Sequence, residues 1–435
     1  MMITAPLAWI EPETAFLRLA GPGVAFLDSA ASGDPRSSVS YICLAPEATL
    51  ALEQNPYATL RGWMAAHRPV ALPDWPFPFK GGAVGWLGYD IARAAAGVPS
   101  RFAPVPGLPG GWFGLYSTIL GFNHATRALH YLGPEACLPD IVARLTIPST
   151  PPALPALAWG AEMAREDYLA RHEKLRAYIA AGDVYQANFT LRFTAARPAA
   201  ATLPALHRAL RALSPAPFAA CLDAGGIGLV SASPERFLRL SPDGQVETRP
   251  IKGTAARHAD PARDAASAAA LAHNRKERAE NLMITDLLRN DLGQVCATGS
   301  IAVPELFAVE SYAQAHHLVS AVTGRLKPGL DAFDLLAATL PGGSITGAPK
   351  RRALEIIDEL EIGPRGAYCG ALAWIGFDGA MDSAIIIRTI TATADRLYAQ
   401  AGGGITWDSS AQAEYEEAML KLSPLLALGH VLGHV

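Results

Sequence analysis

At 435 residues the chain is long for one compact core, so two domains or one large two-sheet domain is expected. Half of its residues are hydrophobic, 17% are charged and the net charge is -4. That balance suits a well-buried globular protein and leaves no electrostatic footprint for nucleic acid, so a small anionic ligand must be held by local positive groups. Five scattered cysteines (Cys43, Cys137, Cys221, Cys296, Cys369), none in CxxC spacing, argue against a disulfide framework or a zinc site and fit a reducing compartment. The N-terminus has no basic n-region, and apolar runs such as 384–387 are far too short to span a bilayer. A cytoplasmic protein without a membrane segment is expected.

In chain order, residues 39–45 and 81–89 read as strands, with glycines allowing tight backbone packing in the second. Residues 146–155 carry Pro148, Pro151, Pro152 and Pro155 and read as a linker. It divides the chain into regions 1–155 and 156–435. An amphipathic helix is expected over 165–181, stopped by Gly182, followed by short strands near 184–193 and 218–222. From Pro261 one helical pattern runs to about Asn290, with Asp260-Pro261 as cap and first turn and Gly293 beyond its end. Another helix starts at Pro349 and ends before Gly363. Strands follow over 371–377, 382–393 and 396–401, the first two joined at Asp378-Gly379, a strong hairpin signal. The last helix begins at Ser409, which has capping-box spacing with Gln412. Segregated helices and antiparallel strands indicate an α+β fold, without regular βαβ alternation.

Several residues could carry chemistry. Lys252 lies in Arg249-Pro250-Ile251-Lys252-Gly253-Thr254, an extended run ended by a glycine. Taken alone it is a solvated charge. Beside paired glutamates and a helix start suited to an anion, it reads as a nucleophile next to a metal-bound anionic substrate. Glu277 and Glu280 are three apart, so both carboxylates leave one helix face, and Glu414 and Glu417 repeat the spacing. Each pair is either a solvated helix face or part of a hard-cation site, and oxygen-only ligands suit Mg²⁺. The run from Pro341 to Lys350 lacks the Gly-Lys-Ser/Thr ending of a nucleotide loop but places small residues before a helix, which favours an anion or serves as an ordinary cap. Arg388, by alternation, shares a strand face with Ile386 and Ile390; it is either a solvated strand residue or waits for a carboxylate that matches its fork. Gly402-Gly403-Gly404 permits close backbone approach to a ligand. Of His316 and His317, one would orient a ligand group and the other would be structural.

Together these segments resemble the chorismate-utilising enzymes. The resemblance rests on Gly182-Asp-Val-Tyr-Gln186, Ser233-Pro-Glu-Arg-Phe237, Lys276-Glu-Arg-Ala-Glu-Asn281, Asp286 through Gly293, His317-Leu-Val-Ser320, Gly343 through Lys350 and Asp408 through Lys421, which occur in the family's order from about Glu166 onward. It implies two antiparallel β-sheets packed face to face with helices outside. It also implies Mg²⁺ on Glu280 and Glu417, with Glu277 and Glu414 supporting through water. Arg388, Tyr368 and the Gly402 and Gly404 amides would hold the enolpyruvyl carboxylate, Lys421 would add a cation, and Ser344 and His317 would line the ring site. Glu235 would be the general acid. Thr254 and Gln186 complete the implied substrate contacts. Pro250-Ile-Lys-Gly-Thr254 is similar to the family's aminodeoxychorismate-forming branch, where the lysine is a nucleophile and anthranilate synthases typically carry alanine. Gln186 stands where the isochorismate-forming and salicylate-forming members carry a water-activating lysine. Lys252 must be neutral to attack, aided by desolvation and a neighbouring cation such as Arg249. No glutaminase elbow is found, and the chain ends soon after its last motif, so ammonia is expected from a separate glutamine amidotransferase subunit. Phe26-Leu-Asp-Ser29 resembles a segment around a tryptophan pocket, with Asp28 in place of the usual Glu and Ser29 beside it. The rival readings are an anthranilate synthase component and a non-catalytic homologue that keeps the fold.

Overall fold

The computed structural model describes residues 1–429 apart from 32, 33, 35, 68, 70–73, 150–152 and 313–314. Pro151 and Pro152 of the expected linker therefore lie outside the described residues. Among the described residues the chain forms one 12-stranded and one 10-stranded sheet, with antiparallel pairing throughout. The sheets face each other across a shared core, where Val84, Trp86, Trp112 and Leu372 of the smaller sheet meet Tyr41, Ile119, Ala220 and Leu229 of the larger.

The strand Gly82–Leu87 shows how sequence places these layers. It is buried along its whole length, so its hydrophobic run has no polar alternation. Period-two geometry sends Val84 and Trp86 into the space between the sheets, while Ala83 and Leu87 join the core beneath the outer helices. On the outer side of the smaller sheet lie the helices Pro56–Ala66, Arg275–Val295 and Ala332–Thr339. The larger sheet carries Arg165–Ala180, Leu203–Leu213 and Ala411–Leu426. The expected α+β arrangement of two face-to-face sheets with helices outside is thus present. Strands from both sides of the Pro-rich stretch hydrogen-bond within each sheet: Ala25–Asp28 pairs with Phe218–Asp223, and Gly82–Leu87 pairs with Ala371–Gly376.

Four sequence expectations are corrected. The pattern from 261 to 290 is two helices, Pro261–His273 and Arg275–Val295, broken at Asn274, whose ψ of 113° is extended. Its side chain accepts from the amides of Lys276 and Glu277, so an asparagine in a helical pattern here starts a new helix. That second helix runs through Gly293 to Val295. Residues 382–393 form two strands, Met381–Ile385 in the smaller sheet and Thr389–Ala392 in the larger. The chain crosses between the sheets over 386–388, and Arg388 has φ 49°, so it shares no strand face with Ile386 and Ile390. The last helix begins at Ala411 with no side-chain cap, because the Ser409 hydroxyl donates to Glu414 at 2.7 Å. Finally, the Lys252 run does not end at Gly253: the strand Ile251–Ala256 continues through it, with a shift of register between Ile251 and Thr254. Asp378-Gly379 does turn Ala371–Gly376 into Met381–Ile385, with Gly379 at φ 88°.

Candidate active site

Lys252 sits at that register shift. Gly253 has φ 91°, the left-handed region, and a Cβ there would lie 3.0 Å from Glu277 Oε2. The glycine therefore serves twice, making the bulge that re-aims Lys252 and admitting a glutamate from the Arg275–Val295 helix. Beyond the bulge, Thr254 pairs with His317 on the neighbouring strand, and its hydroxyl is 3.1 Å from His317 Nδ1.

The charges that reach Lys252 are carboxylates: Glu235, Glu280 and Glu417 all lie close enough to feel its ammonium. Arg249, expected to be a neighbouring cation that helps keep Lys252 neutral, is instead held by Glu305 at 2.6 Å and by Glu310. Glu235 is pushed up to about 7, because burial outweighs Lys252, the Ile251 amide, the Ser344 hydroxyl and Arg36, which all favour its ionised form. Near neutral pH it can hold or give a proton. Ser344 lies in the short turn Gly343–Ile345, which is pinned by bonds from Asn188 and Arg365 to the Ile345 carbonyl. The rest of that loop is drawn into the larger sheet, where Gly347 and Ala348 pair with Ala187 and Gln186, and Lys350 pairs with Asp291 at 2.6 Å.

The two glutamate pairs meet from different helices. Burial, then repulsion from Glu277 and Glu414, raises Glu280; Lys252 and Lys276 oppose this. Glu414 is raised as well, chiefly by burial. Glu417 is lowered, because Lys421 at 2.6 Å overcomes its burial. Lys276 lies 3.8 Å from Glu280. Gly403 makes room for this cluster, since a Cβ there would stand 2.7 Å from Glu414 Oε2. Among the described residues no three acidic, histidine or cysteine side chains converge as ligands. The donor set is nonetheless one that fits Mg²⁺, which takes one or two carboxylates and leaves its other positions to water and substrate oxygens.

The remaining expected site residues fall into two groups. Arg388 is open to solvent although protein surrounds it on most sides, and among the described residues no carboxylate pairs with it. Burial lowers its affinity for its proton, and its charge reaches His317. His317 is pushed down to about 4 by burial, Arg36 and Arg388, so it is neutral at pH 7. His316, by contrast, is fixed between Ser311 at 2.7 Å and Asp264 at 3.0 Å, a structural role. The strand Arg396–Ile405 pairs with Gln186–Ala196 along its length but with Thr389–Ala392 only as far as Ala399. Among the described residues no strand pairs with the far edge of Gly402 and Gly404. Lys421 donates to the Gly402 carbonyl at 3.0 Å and pairs with Glu417, so its charge belongs to the acidic cluster. Gln186 is fully buried beside Gly404, and neither of its amide atoms has a hydrogen-bond partner among the described residues. Leaving such groups unpaired costs about 1–3 kcal/mol each, which a ligand group could recover.

Tyr368 belongs elsewhere. It is buried next to the Arg365–Glu361 pair and lines a small cavity with Thr389 and Gln400, and among the described residues no hydrogen bond joins it to Arg388. Asp28 and Ser29 lie apart too, on the wall of a cavity of about 820 Å³ between the sheets, with Tyr41, Phe218 and Trp374. Burial pulls the Asp28 carboxyl up, but His207 and Arg211, at 3.3 and 2.8 Å, hold it below the usual range. Sequence reasoning missed Arg36, whose charge reaches both Glu235 and His317. It sits in a loop with no periodicity or motif to mark it.

A family model described as chorismate binding enzyme matches residues 24–427. Aminodeoxychorismate synthase component 1 of Klebsiella aerogenes is 46% identical over 359 residues, covering 81% of this chain and 78% of that protein. Anthranilate synthase component 1 of Streptomyces coelicolor is 37% identical over 446 residues, covering 96% of this chain and 86% of that protein. Among solved structures, anthranilate synthase component I from Streptococcus pneumoniae TIGR4 superposes with a TM-score of 0.81 at 30% identity, over 97% of this chain and 99% of that one.

Proposed function

This chain belongs to the chorismate binding enzymes, and on that footing we propose that it converts chorismate and ammonia to 4-amino-4-deoxychorismate and water. One observation carries the reading beyond the family: the Lys252 amine lies beside Glu235, a buried carboxyl that keeps its proton to about pH 7. Lys252 Nζ adds to C2 of the ring, both conjugated ring double bonds shift one position round the ring, and the C4–O bond breaks. Glu235 donates the proton with which the hydroxyl leaves as water. Ammonia then adds at C4, both double bonds shift back, the C2–N bond breaks to release Lys252, and the new ammonium returns a proton to Glu235. The 46% identity to an aminodeoxychorismate synthase component 1 supports the same reading.

In this scheme Glu280 and Glu417 hold Mg²⁺, with Glu277 and Glu414 behind them, and the ion supplies positive charge to the ring carboxylate. Arg388 and the Gly402 and Gly404 amides take the enolpyruvyl carboxylate, an assignment supported by the unpaired guanidinium and the uncovered strand edge. Ser344, Thr254, His317 and Gln186 line the ring, and Lys421 tempers the acidic cluster. Ammonia comes from a glutamine amidotransferase subunit, the role suggested by the relatives' designation as component 1. The product would feed 4-aminobenzoate and folate synthesis. For the inter-sheet cavity the proposal is tryptophan, with Asp28 and Ser29 in its wall. Calorimetric titration with tryptophan should give saturable heat that Trp374→Ala removes; no heat with the intact protein would exclude it.

The first experiment is incubation with chorismate, Mg²⁺ and ammonium near neutral pH, where Glu235 still holds its proton, followed by product identification. Aminodeoxychorismate is expected. Fluorescent anthranilate would favour the second reading, for which the 37% identity to an anthranilate synthase component over almost the whole chain speaks. Mass spectrometry with chorismate alone should find an adduct on Lys252. An adduct that persisted at the same mass in Lys252→Ala would refute the nucleophile.

A further inference from the structure

Arg36 lines the inter-sheet cavity, and its charge also reaches Glu235, the carboxyl that feels Lys252. Its Nε and Nη2 form a fork on Asp34, at 3.0 and 2.7 Å. Its Nη1 donates to the Pro234 carbonyl at 3.3 Å, and its guanidinium lies 4.1 Å above the centre of the Tyr312 ring. Each contact leads to a site residue. Pro234 immediately precedes Glu235 in the chain. The Tyr312 ring packs against the His317 ring with centroids 5.7 Å apart. The same guanidinium thus reaches two groups distant in the chain, Glu235 between two strands and His317 on a third, and its side chain is only 15% exposed.

We propose that Arg36 is a positioning residue for the reaction, setting Glu235 through the Pro234 carbonyl and His317 through the Tyr312 ring. This rests on the assignment of Glu235 and His317 above. The geometry needs all of a guanidinium: a planar fork for Asp34, a further donor for Pro234 and a flat cation over an aromatic face, which no ammonium supplies together. Arg36 also places a positive charge near Glu235, which Lys252 faces as well, and near His317, which also faces Arg388, Glu310 and Asp34.

Two effects are therefore expected, and a merely structural residue would produce only the first. Arg36→Met should lower kcat about tenfold or more, because small misplacements of catalytic groups have effects of that order. It should also move the alkaline limb of the kcat–pH profile upward by about one unit, because losing the cation lets Glu235 keep its proton longer. Arg36→Lys should return the limb towards its original position while leaving kcat low. Glu235→Gln, assayed alongside, separates the two levels of argument. If Glu235→Gln is inactive while Arg36→Met keeps both kcat and the limb, the role of Arg36 is overturned and the acid stands. If Glu235→Gln turns over normally, the acid assignment fails instead. Thermal melts report folding; should Arg36→Met not fold, a wild-type kcat in Arg36→Lys overturns the proposal by itself.

Discussion

Glu235 is a carboxyl kept protonated by its surroundings, and that has consequences in two directions. As the proton donor it must be protonated, so activity should fall as pH rises through about 7. Glu235→Gln should reduce turnover by about 10²–10⁴-fold, measured as kcat at pH 7. The same residue should weaken the fold. Its proton affinity is higher folded than unfolded, so its contribution to stability is fully present below the unfolded carboxyl's range and is lost as pH rises through about 7. Glu235→Gln, free of that loss, should be about 1–3 kcal/mol more stable than the intact protein in urea melts at about pH 8, with the gain vanishing near pH 4. Equal stability at both pH values would mean that the carboxyl is not desolvated. Sequence could nominate Glu235 only through a motif; its raised proton affinity comes from burial, which prevails over neighbours as distant in the chain as Ser344 and Arg36. Gly253 shows the same limit. Its identity was readable, but the bulge and the Glu277 carboxylate that require a glycine come from the paired strand and a neighbouring helix.

Helices and strands bring the pairs together. The i, i+3 spacing of Glu277 with Glu280 and of Glu414 with Glu417 was legible because it follows from one helical turn. What periodicity could not show is that the helix bearing the first pair begins afresh at Asn274, which caps the amides of Lys276 and Glu277. Nor could it show that Gly403 lets the second pair lie against the larger sheet. A cluster of carboxylates raised by burial and by mutual repulsion gains from a divalent cation. Adding Mg²⁺ should therefore raise the melting temperature of the intact protein, by about 2.7 kcal/mol of stability at a hundredfold excess over the dissociation constant. That gain should be lost in Glu280→Gln and in Glu417→Gln. An undiminished shift in both variants would place the ion elsewhere. The strand read over 382–393 teaches a related lesson. Its centre is rich in β-branched isoleucine and threonine, so hydrophobic pattern saw one strand, whereas pairing partners in two different sheets split it and left Arg388 at the crossing.

At the scale of the whole molecule, the Pro-rich stretch divides the chain but not the core. Ala25–Asp28 and Gly82–Leu87 are interior strands that each pair with a strand from beyond residue 155, so both sheets mix the two regions. Residues 156–435 expressed alone should be insoluble or lack a cooperative melt, since they would expose unpaired strand edges and the apolar faces of Phe218–Asp223 and Ala371–Gly376. A soluble fragment with a sharp thermal transition would show that the catalytic region is an independent domain. The sequence by itself determined the α+β class, the hairpin at Asp378-Gly379, the spacing of the glutamate pairs and membership of a family, because each rests on local geometry or on motifs in order. Only the tertiary structure decided that Arg249 is occupied by Glu305 and Glu310, that Lys252 faces carboxylates, that Tyr368 sits with Arg365, and that Arg36 on the cavity wall bonds beside Glu235. Electrostatic and packing environments are sums over neighbours distant in the chain, and no local pattern encodes them.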